Sequence, residues 1–376
     1  MKINVEKSDL LSLISKTQNI VEKRNTMPVL ANILFEAKDD RLKVFATDLE
    51  VSLTDSIPAE IDQPGQVAVN AKSIFEIVRE LSEGPVQLTK NTNNWLSVKQ
   101  KKSAFNIVGI SSEEFPIFPT YSTKEFIKIQ SDVLADMIEK TLYSVSHDET
   151  RYNLNGVYFE QLPEEGGVHY RMVATDGHRL SLVNRKTQSI AKEKVPGASS
   201  DGVIVPRKGL QEIRKLLEVS SGAIEMAVEG SQFILKGGST LLMIRLIEGK
   251  YPNYNQLIPK NMKRLVTVSK EQLTSSLRRV SLLSNQKSKS VTLTLNPGLM
   301  QISSNNPEMG DAKEEIEVAY KGEEMKIGFN AKYLLDILNS IHDEEIKIEL
   351  NDQLSPGLIR PGHDADYTCV VMPMRI

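Results

Sequence analysis

The chain has 376 residues, of which 40% are hydrophobic and 25% are charged, and its formal net charge is −3. This length exceeds what one hydrophobic core usually supports, so we expect two or three domains. The composition is typical of soluble globular proteins, and neither an apolar run of roughly 20 residues nor a signal-peptide pattern is present, so we expect a cytoplasmic protein without membrane contact.

One pattern of strands and helices occurs three times along the chain. Each copy opens with a short strand and a helix whose apolar residues recur at intervals of three and four, which gives the helix one apolar face. These openings lie at 3–21, 126–145 and 265–283, and a second strand and helix follow at 67–81, 203–217 and 327–341. Ser8, Ser131 and Ser269 stand before the opening helices, where a hydroxyl can cap free backbone N–H groups.

Each copy is therefore predicted to be one α+β domain with the order β-α-β-β-β-β-α-β-β-β and antiparallel sheets. The predicted domains are 1–125, 126–259 and 260–376. Chance similarity between amphipathic helices is an alternative, but the same order in three copies makes it a minor one. Between the two helices, Thr47-Asp48 of the first copy recurs as Thr175-Asp176 in the second, 128 residues later.

The second of these motifs allows an enzymatic alternative. Asp176 and His178 lie close enough in sequence to suggest a general base. No nucleophile elbow, Gly-rich phosphate loop or metal-ligand spacing accompanies them, and the chain has one cysteine and five scattered histidines. We therefore predict a hydrogen-bonded turn here, and neither a catalytic residue nor a metal or cofactor in the chain.

Taken together and in order, several motifs resemble the bacterial DNA polymerase III beta subunit family, the sliding clamps. They are MPVLAN at 27–32, TDLE at 47–50, RYNLNG at 151–156, VATDGHRL at 173–180, YPNY at 251–254, SNNPE at 304–308 and VVMPMRI at 370–376. The resemblance implies three clamp domains, with helices lining the interior of a ring and antiparallel sheets outside. It also implies a non-catalytic polymerase processivity factor that acts as a head-to-tail homodimer around duplex DNA. Implied partners are the DNA polymerase III alpha subunit, the clamp loader and other proteins with clamp-binding motifs.

The resemblance also implies a peptide-binding pocket. Its predicted residues are Leu154, Thr175, Gly177, His178, Arg179, Leu180, Pro252, Leu257, Asn330, Tyr333, Val370, Met372, Pro373, Met374 and Arg375. The apolar C-terminus is unusual, because chain ends are mostly polar and frayed, and its two methionines suit a groove that accepts several ligands. A last strand tucked into the core remains the alternative for this segment.

The predicted DNA contacts must be non-specific, because a sliding protein touches phosphates and reads no bases. By resemblance they are Arg24, His147, Arg151, Tyr152, Arg207 and Lys208. The net charge of −3 argues mildly against DNA binding, although the predicted helices carry a small positive excess. A peptide-binding scaffold that does not encircle DNA is the alternative function.

The predicted dimer contact joins Phe105 and Ile107 of one chain to Leu282 and Leu283 of the other. Acidic residues of the third copy at 308–317 and basic residues of the first copy at 72–102 have opposite charges that would fix the partner in such a contact. Ordinary surface charge is the alternative for both clusters, and Leu282 and Leu283 could equally belong to the core of their own domain.

Overall fold

A computed structural model describes residues 1–21, 27–164, 167–186, 202–219 and 222–375. The predicted DNA contact Arg24 and the last residue, Ile376, lie outside the described residues. The described chain forms two compact units. The first comprises the described parts of Met1–Asp132 and Lys208–Leu246, and the second comprises 133–186, 202–207 and 247–375.

Besides short 3-10 helices at Pro28–Ala31 and Ser112–Glu114, the described residues of the first repeat contain two α-helices and ten strands. They are β1 (Lys2–Glu6), α1 (Lys7–Ser15), β2 (Asn32–Lys38), β3 (Arg41–Thr47), β4 (Val51–Pro58), β5 (Glu60–Gln63), β6 (Gly65–Asn70), α2 (Ala71–Glu80), β7 (Pro85–Lys90), β8 (Leu96–Gln100), β9 (Ser103–Ile107) and β10 (Gly109–Ile110). The predicted order is correct except for two additional short strands, β5 and β10. Both have few residues and no clear apolar alternation, so local periodicity could not reveal them.

The second and third repeats follow the predicted order. The second contains β11 (Ile127–Gln130), α3 (Ser131–Leu142), β12 (Gly156–Glu164), β13 (Gly167–Thr175), β14 (Arg179–Lys186), β15 (Val203–Pro206), α4 (Arg207–Val219), β16 (Ala223–Glu229), β17 (Gln232–Gly237) and β18 (Thr240–Arg245). The third contains β19 (Arg264–Ser269), α5 (Lys270–Val280), β20 (Ser290–Asn296), β21 (Leu299–Asn306), β22 (Gly310–Glu317), β23 (Met325–Asn330), α6 (Ala331–Asn339), β24 (Glu345–Leu350), β25 (Gly357–Pro361) and β26 (Tyr367–Val371).

Each unit contains two sheets, and every strand pair among the described residues is antiparallel. The sheets of the first unit have the orders β5-β1-β7-β8-β9 and β10-β6-β2-β3-β4-β18-β17-β16-β11. Those of the second unit have the orders β15-β12-β13-β14-β26-β25-β24-β19 and β22-β21-β20-β23. Strands of different repeats therefore pair within each unit: β4 with β18, and β14 with β26.

The helices bury the apolar faces that the sequence spacing predicts. Ile74 and Val78 of α2 are buried, as are Leu334 and Leu338 of α6, because residues three or four apart lie on one side of a helix. None of the helices in the described part of the chain is long and apolar enough to cross a membrane.

The predicted helix caps are only partly correct. The Ser269 hydroxyl accepts a hydrogen bond from the Gln272 N–H at the start of α5, which confirms that prediction. Ser8 lies inside α1, where Glu6 occupies the capping position without a side-chain bond, so the prediction for Ser8 was wrong. Ser131 is the first residue of α3, and its hydroxyl donates to the Gly222 carbonyl over 2.6 Å.

A buried ion pair lies in the first unit. The Asp55 side chain is 2% exposed, and its Oδ2 atom lies 2.5 Å from Lys16 Nζ and 2.9 Å from Thr240 Oγ1. Burial by itself would raise the pKa of Asp55, but the hydrogen bonds and charge of Lys16 outweigh it and hold that pKa below the ordinary value of 3.8. The ionised carboxylate therefore stabilises the folded state.

We expect Asp55→Asn to lower the free energy of unfolding by about 2 kcal/mol at pH 7. Because the pKa of Asp55 is lower in the folded protein, its contribution is complete above pH 3.8 and is lost as the pH falls through the folded value. Urea unfolding of both proteins between pH 7 and pH 3 should show that the difference between their free energies of unfolding becomes smaller at low pH. A difference that stays constant would contradict an ionic contribution.

Candidate functional site

The turn between β13 and β14 is held by its own side chains. Asp176 Oδ1 accepts hydrogen bonds from the N–H groups of His178 (2.9 Å) and Arg179 (3.0 Å). Thr175 Oγ1 donates to the Arg179 carbonyl over 2.6 Å and accepts from the Gly177 N–H over 3.1 Å. Gly177 has φ +88°, a left-handed conformation that favours glycine. The predicted hydrogen-bonded turn is therefore present.

Arg179 anchors this turn to two other elements. Its guanidinium lies 3.1 Å from Asp176 Oδ2 and 2.7 Å from Asp336 Oδ2 of α6, and it donates to the Tyr143 carbonyl over 2.5 Å. It also lies 4.5 Å from the ring centre of Tyr333. Because Arg179 is only 7% exposed, its side chain mainly holds the turn in position.

The chain end completes one wall of the site. Leu180 pairs with Val370 where β14 meets β26, and the Met372 N–H donates to the His178 carbonyl over 2.9 Å. The Met374 N–H donates to the Gly328 carbonyl over 2.8 Å. The C-terminus is thus pinned at two points. The alternative of a core strand is correct for β26, whose residues are buried and which ends at Val371, whereas Met372 beyond it is exposed.

An apolar floor joins the wall to the loop after β18. Its buried members are Leu154, Val173, Leu180, Leu182, Ile204, Ile247, Tyr251, Tyr254, Leu358 and Val370. The rings of Tyr158 and Tyr251 stack with centres 5.1 Å apart, and the Tyr251 hydroxyl accepts from the Thr175 N–H over 3.1 Å. Leu257 is half exposed beside Ile258, which packs on this floor. The result is an apolar surface next to exposed methionine and leucine side chains.

The remaining predicted pocket residues differ in how accessible their polar groups are. His178 is exposed, and its ring lies parallel to that of Tyr333 with centres 6.4 Å apart. Asn330 accepts from the N–H groups of Lys332 and Tyr333 at the start of α6 and donates to the Ser288 carbonyl. Its amide therefore caps a helix. Pro252, Pro373 and Met374 are partly exposed, and Arg375 is exposed.

Sequence reasoning did not assign several residues that build the site. Tyr158, Tyr254 and Ile247 form part of the floor, and Tyr143 and Asp336 hold Arg179. The two tyrosines around Pro252 were the available signal, since Tyr251 and Tyr254 enclose it. No sequence signal pointed to Asp336, because it lies 157 residues from Arg179 on a helix of another repeat.

Known proteins match the chain over its whole length. Family models of the DNA polymerase III beta subunit match consecutive segments: the N-terminal domain at 1–119, the central domain at 128–253 and the C-terminal domain at 255–375. The beta sliding clamp of Caulobacter vibrioides is 36% identical over 378 residues, covering 100% of both chains. The chain belongs to the DNA polymerase III beta subunit family, the sliding clamps.

Solved structures of this family have the same fold. The crystal structure of the Caulobacter crescentus beta sliding clamp with bound polyethylene glycol has a TM-score of 0.94 and 36% identity, covering 100% of both chains. The sliding clamp of Bartonella birtlesii bound to griselimycin also has a TM-score of 0.94, with 31% identity and the same coverage. The predicted family, its α+β fold and its function as a non-catalytic polymerase processivity factor are confirmed. The general-base alternative at Asp176 is excluded as the function of the chain.

Within this family member, the loop at 147–152 lies beside Arg207. The Arg207 guanidinium contacts the His147 ring, with Nη1 2.7 Å from Nδ1. Burial and the charge of Arg207 lower the pKa of His147, so its ring is neutral at pH 7. Arg151 and Tyr152 are exposed, and Arg151 Nη1 donates to the Asp176 carbonyl over 3.2 Å. The loop thus borders the turn of the candidate site.

Lys208 is less available than predicted. Its ammonium pairs with Asp48, whose side chain is buried and which lies in the first-repeat turn that matches the Asp176 turn. Because an ion pair with a buried carboxylate restrains the lysine, we expect less phosphate contact from Lys208 than from Arg151 or Arg207.

The predicted dimer residues lie at sheet edges or beside them. Phe105 is exposed on β9, the last strand of its sheet, whereas Ile107 on the same strand is buried. Leu282 lies in the short 3-10 helix after α5 and is 69% exposed, which excludes the alternative of a core position for that side chain, and Leu283 is partly exposed. Of the four predicted dimer residues, Phe105 and Leu282 are therefore the most exposed.

Proposed function

We propose that this chain forms a head-to-tail homodimer that encircles duplex DNA and tethers replication and repair proteins through the pocket around Leu180 and Met372. The observation that carries the ring proposal is the pair of sheet edges at β9 and β22. Each ends a sheet, and neither outer edge has a strand partner within the described residues. Unpaired edges are open to pairing with another chain.

The size of the sheets supports this closure. The first unit has a nine-stranded sheet in which β4 and β18 join strands of two repeats. Pairing β9 of the five-stranded sheet with β22 of a partner's four-stranded sheet would also produce nine strands. Because this contact joins different surfaces of two copies, it is heterologous and closes only if the rotation between the copies returns to the start.

Charge supports the same pairing. Lys99 lies on β8, and Lys101 and Lys102 lie in the turn between β8 and β9. The structure gives none of these three lysines an ion-pair partner among the described residues. On the β22 side, Asp311 and Glu317 are likewise unpaired within the described chain, whereas Glu314 is held by Arg279. Opposite free charges at the two edges favour a head-to-tail contact over a symmetric one.

We also propose that the three repeats are separate clamp domains, 1–125, 126–259 and 260–376, with their helices lining the hole. Arg151, Tyr152 and Arg207, together with Arg24, His147 and Lys208, would then meet DNA phosphates without reading bases. The family models, whose boundaries fall close to these domain limits, support the division. A cytoplasmic location follows from the same role in replication.

The pocket is proposed to take peptide segments of the DNA polymerase III alpha subunit, the clamp loader and other proteins with clamp-binding motifs. An apolar floor, an exposed methionine and a few backbone groups suit ligands that share apolar side chains but differ elsewhere. Griselimycin is bound to the Bartonella birtlesii clamp. We propose that griselimycin also binds this chain, at the pocket around Leu180 and Met372.

If the protein encloses DNA, the topology of the DNA, more than its sequence, should control how long the protein is retained. After loading by a matched clamp loader, we expect the protein to remain on closed circular DNA through gel filtration and to be lost when one restriction cut makes the same DNA linear. The difference should exceed tenfold, because weak phosphate contacts alone are lost at moderate salt. Labelled protein counted in the DNA fractions measures it.

Blocking both ends of the linear DNA with bound streptavidin is the control and should restore retention. Equal retention on circular and open linear DNA would contradict encirclement, and would favour the alternative of a scaffold that does not enclose DNA.

A further inference from the structure

The first unit contains a second turn with the geometry of the Asp176 turn. Asp48 Oδ1 accepts from the N–H groups of Glu50 (2.9 Å) and Val51 (2.6 Å), and Thr47 Oγ1 accepts from the Leu49 N–H over 3.0 Å. These bonds match, one for one, those that Asp176 and Thr175 accept in the second unit.

The strands beside the two turns match as well. β18 pairs with β4 in the first unit as β26 pairs with β14 in the second. The Arg245 N–H donates to the Glu50 carbonyl over 2.8 Å, as the Met372 N–H donates to the His178 carbonyl over 2.9 Å. Arg245 therefore holds the place in the first unit that Met372 holds in the pocket.

A cleft of about 290 Å³ lies at this position of the first unit. Leu49 and Ile117 line it and are 52% and 96% exposed, although both are large apolar side chains. Leu49 has φ +76°, a left-handed conformation that bulky residues rarely adopt. The turn thus holds a leucine at the cleft where the second unit has Gly177.

Two polar groups of the cleft are available to a ligand. Gln232 lines the cleft, and its Oε1 atom is buried without a hydrogen-bond donor in the part of the chain that the structure describes. The Arg245 guanidinium also lines the cleft and has no ion-pair partner among the described residues. A buried acceptor without a donor is costly, so a ligand that supplies an N–H group would be favoured there.

We propose that this cleft is a second docking site, which binds an extended peptide segment carrying an apolar side chain followed by an acidic one. The apolar side chain would cover Leu49 and Ile117, the carboxylate would pair with Arg245, and a backbone N–H would donate to Gln232 Oε1. The choice of a peptide rests on the proposed function of the matching pocket. The free arginine distinguishes the two sites, because the equivalent residue in the pocket is Met372.

Methionine methyl groups report on the two sites separately. Met243 lines the cleft, and Met372 lies at the pocket. In the full chain with ¹³C-labelled methionine methyl groups, signals assigned by Met243→Leu and Met372→Leu can be followed during titration with the acetylated and amidated hexapeptide Gly-Ser-Leu-Asp-Ser-Gly. We expect a saturable shift of the Met243 signal. The same hexapeptide with asparagine in place of aspartate should bind about fivefold more weakly.

Arg245→Ala should weaken binding of the aspartate peptide by about the same fivefold and leave binding of the asparagine peptide unchanged. Arg278→Ala removes another exposed arginine, on α5, and is the matched control, for which we expect no effect. Titration of the same labelled sample with griselimycin tests the pocket by itself, through the Met372 signal.

No shift of Met243, a shift of Met372 alone, or a Met243 shift that is insensitive to both Arg245→Ala and the asparagine exchange would each overturn the second site. A shift of Met372 by griselimycin in any of these cases would leave the proposed pocket intact. A Met243 shift without any response of Met372 to griselimycin would support the cleft and count against the proposed pocket.

Discussion

Leu282→Asp is expected to turn the proposed dimer into monomers and to abolish retention on closed circular DNA. Leu282 is 69% exposed in the isolated chain, so the substitution should leave the fold intact. In the proposed contact, however, the carboxylate would be buried against Phe105 of the partner without a counter-charge. Such burial costs several kcal/mol, which corresponds to a loss of affinity of about a thousandfold. Light scattering after gel filtration measures the mass.

A second substitution should rescue this variant. Phe105→Lys in the same chain would place an ammonium opposite the new carboxylate across a head-to-tail contact, and we expect it to restore part of the dimer. Leu354→Asp, at another exposed leucine, is the matched control and should remain dimeric. A Leu282→Asp protein with unchanged mass and retention would exclude this seam, while rescue by Phe105→Lys would identify the two faces that meet.

Arg179→Ala is expected to have the largest effect on the pocket. It removes the guanidinium donor from Asp176 Oδ2, Asp336 Oδ2 and the Tyr143 carbonyl, while Asp176 Oδ1 keeps its backbone N–H donors. Because both carboxylates retain some contact with water, we expect the free energy of unfolding to fall by about 2 to 3 kcal/mol, less than for a fully buried pair. The turn that carries His178 loses its anchor, so griselimycin should bind at least about tenfold more weakly.

Arg185→Ala distinguishes a loss of stability from a specific loss of griselimycin binding. Arg185 also pairs with two carboxylates, Asp136 and Asp364, each over 2.7 Å, and belongs to the same unit. It should lose comparable stability in urea while binding griselimycin normally at temperatures where the protein is folded. If Arg185→Ala weakened griselimycin as strongly as Arg179→Ala, the effect would reflect general destabilisation, and the positioning role of Arg179 would be wrong.

The elements that could be predicted from the sequence are those controlled by neighbouring residues. The apolar faces of α2 and α6 follow from spacings of three and four, and the Thr175-Asp176 turn closes bonds within four residues. Ser269 caps its helix through the same kind of local hydrogen bond, whereas the prediction for Ser8 is wrong because α1 begins two residues earlier than a cap at Ser8 implies. Local patterns therefore predicted element type well and exact starts poorly.

Family resemblance supplied the candidate site residues, and the structure shows contacts of some of them that the sequence did not indicate. Asn330 was predicted to extend the pocket, and its amide caps α6. Lys208 was predicted to meet DNA, and its ammonium pairs with Asp48 in another repeat. In both cases the side chain contacts a group that tertiary packing brings close. The residue type at one position does not indicate such a contact.

The amino-acid sequence by itself determined the threefold repeat, the order of its strands and helices and the two matching Thr-Asp turns. These depend on periodicity and on hydrogen bonds between near neighbours in the chain. Only the tertiary structure decided that β14 pairs with β26 and β4 with β18, that Asp336 holds Arg179, and that Gln232 and Arg245 face one cleft. Strand partners and register depend on which sheet faces become buried when distant segments of the chain pack together. No local sequence pattern indicates this pairing.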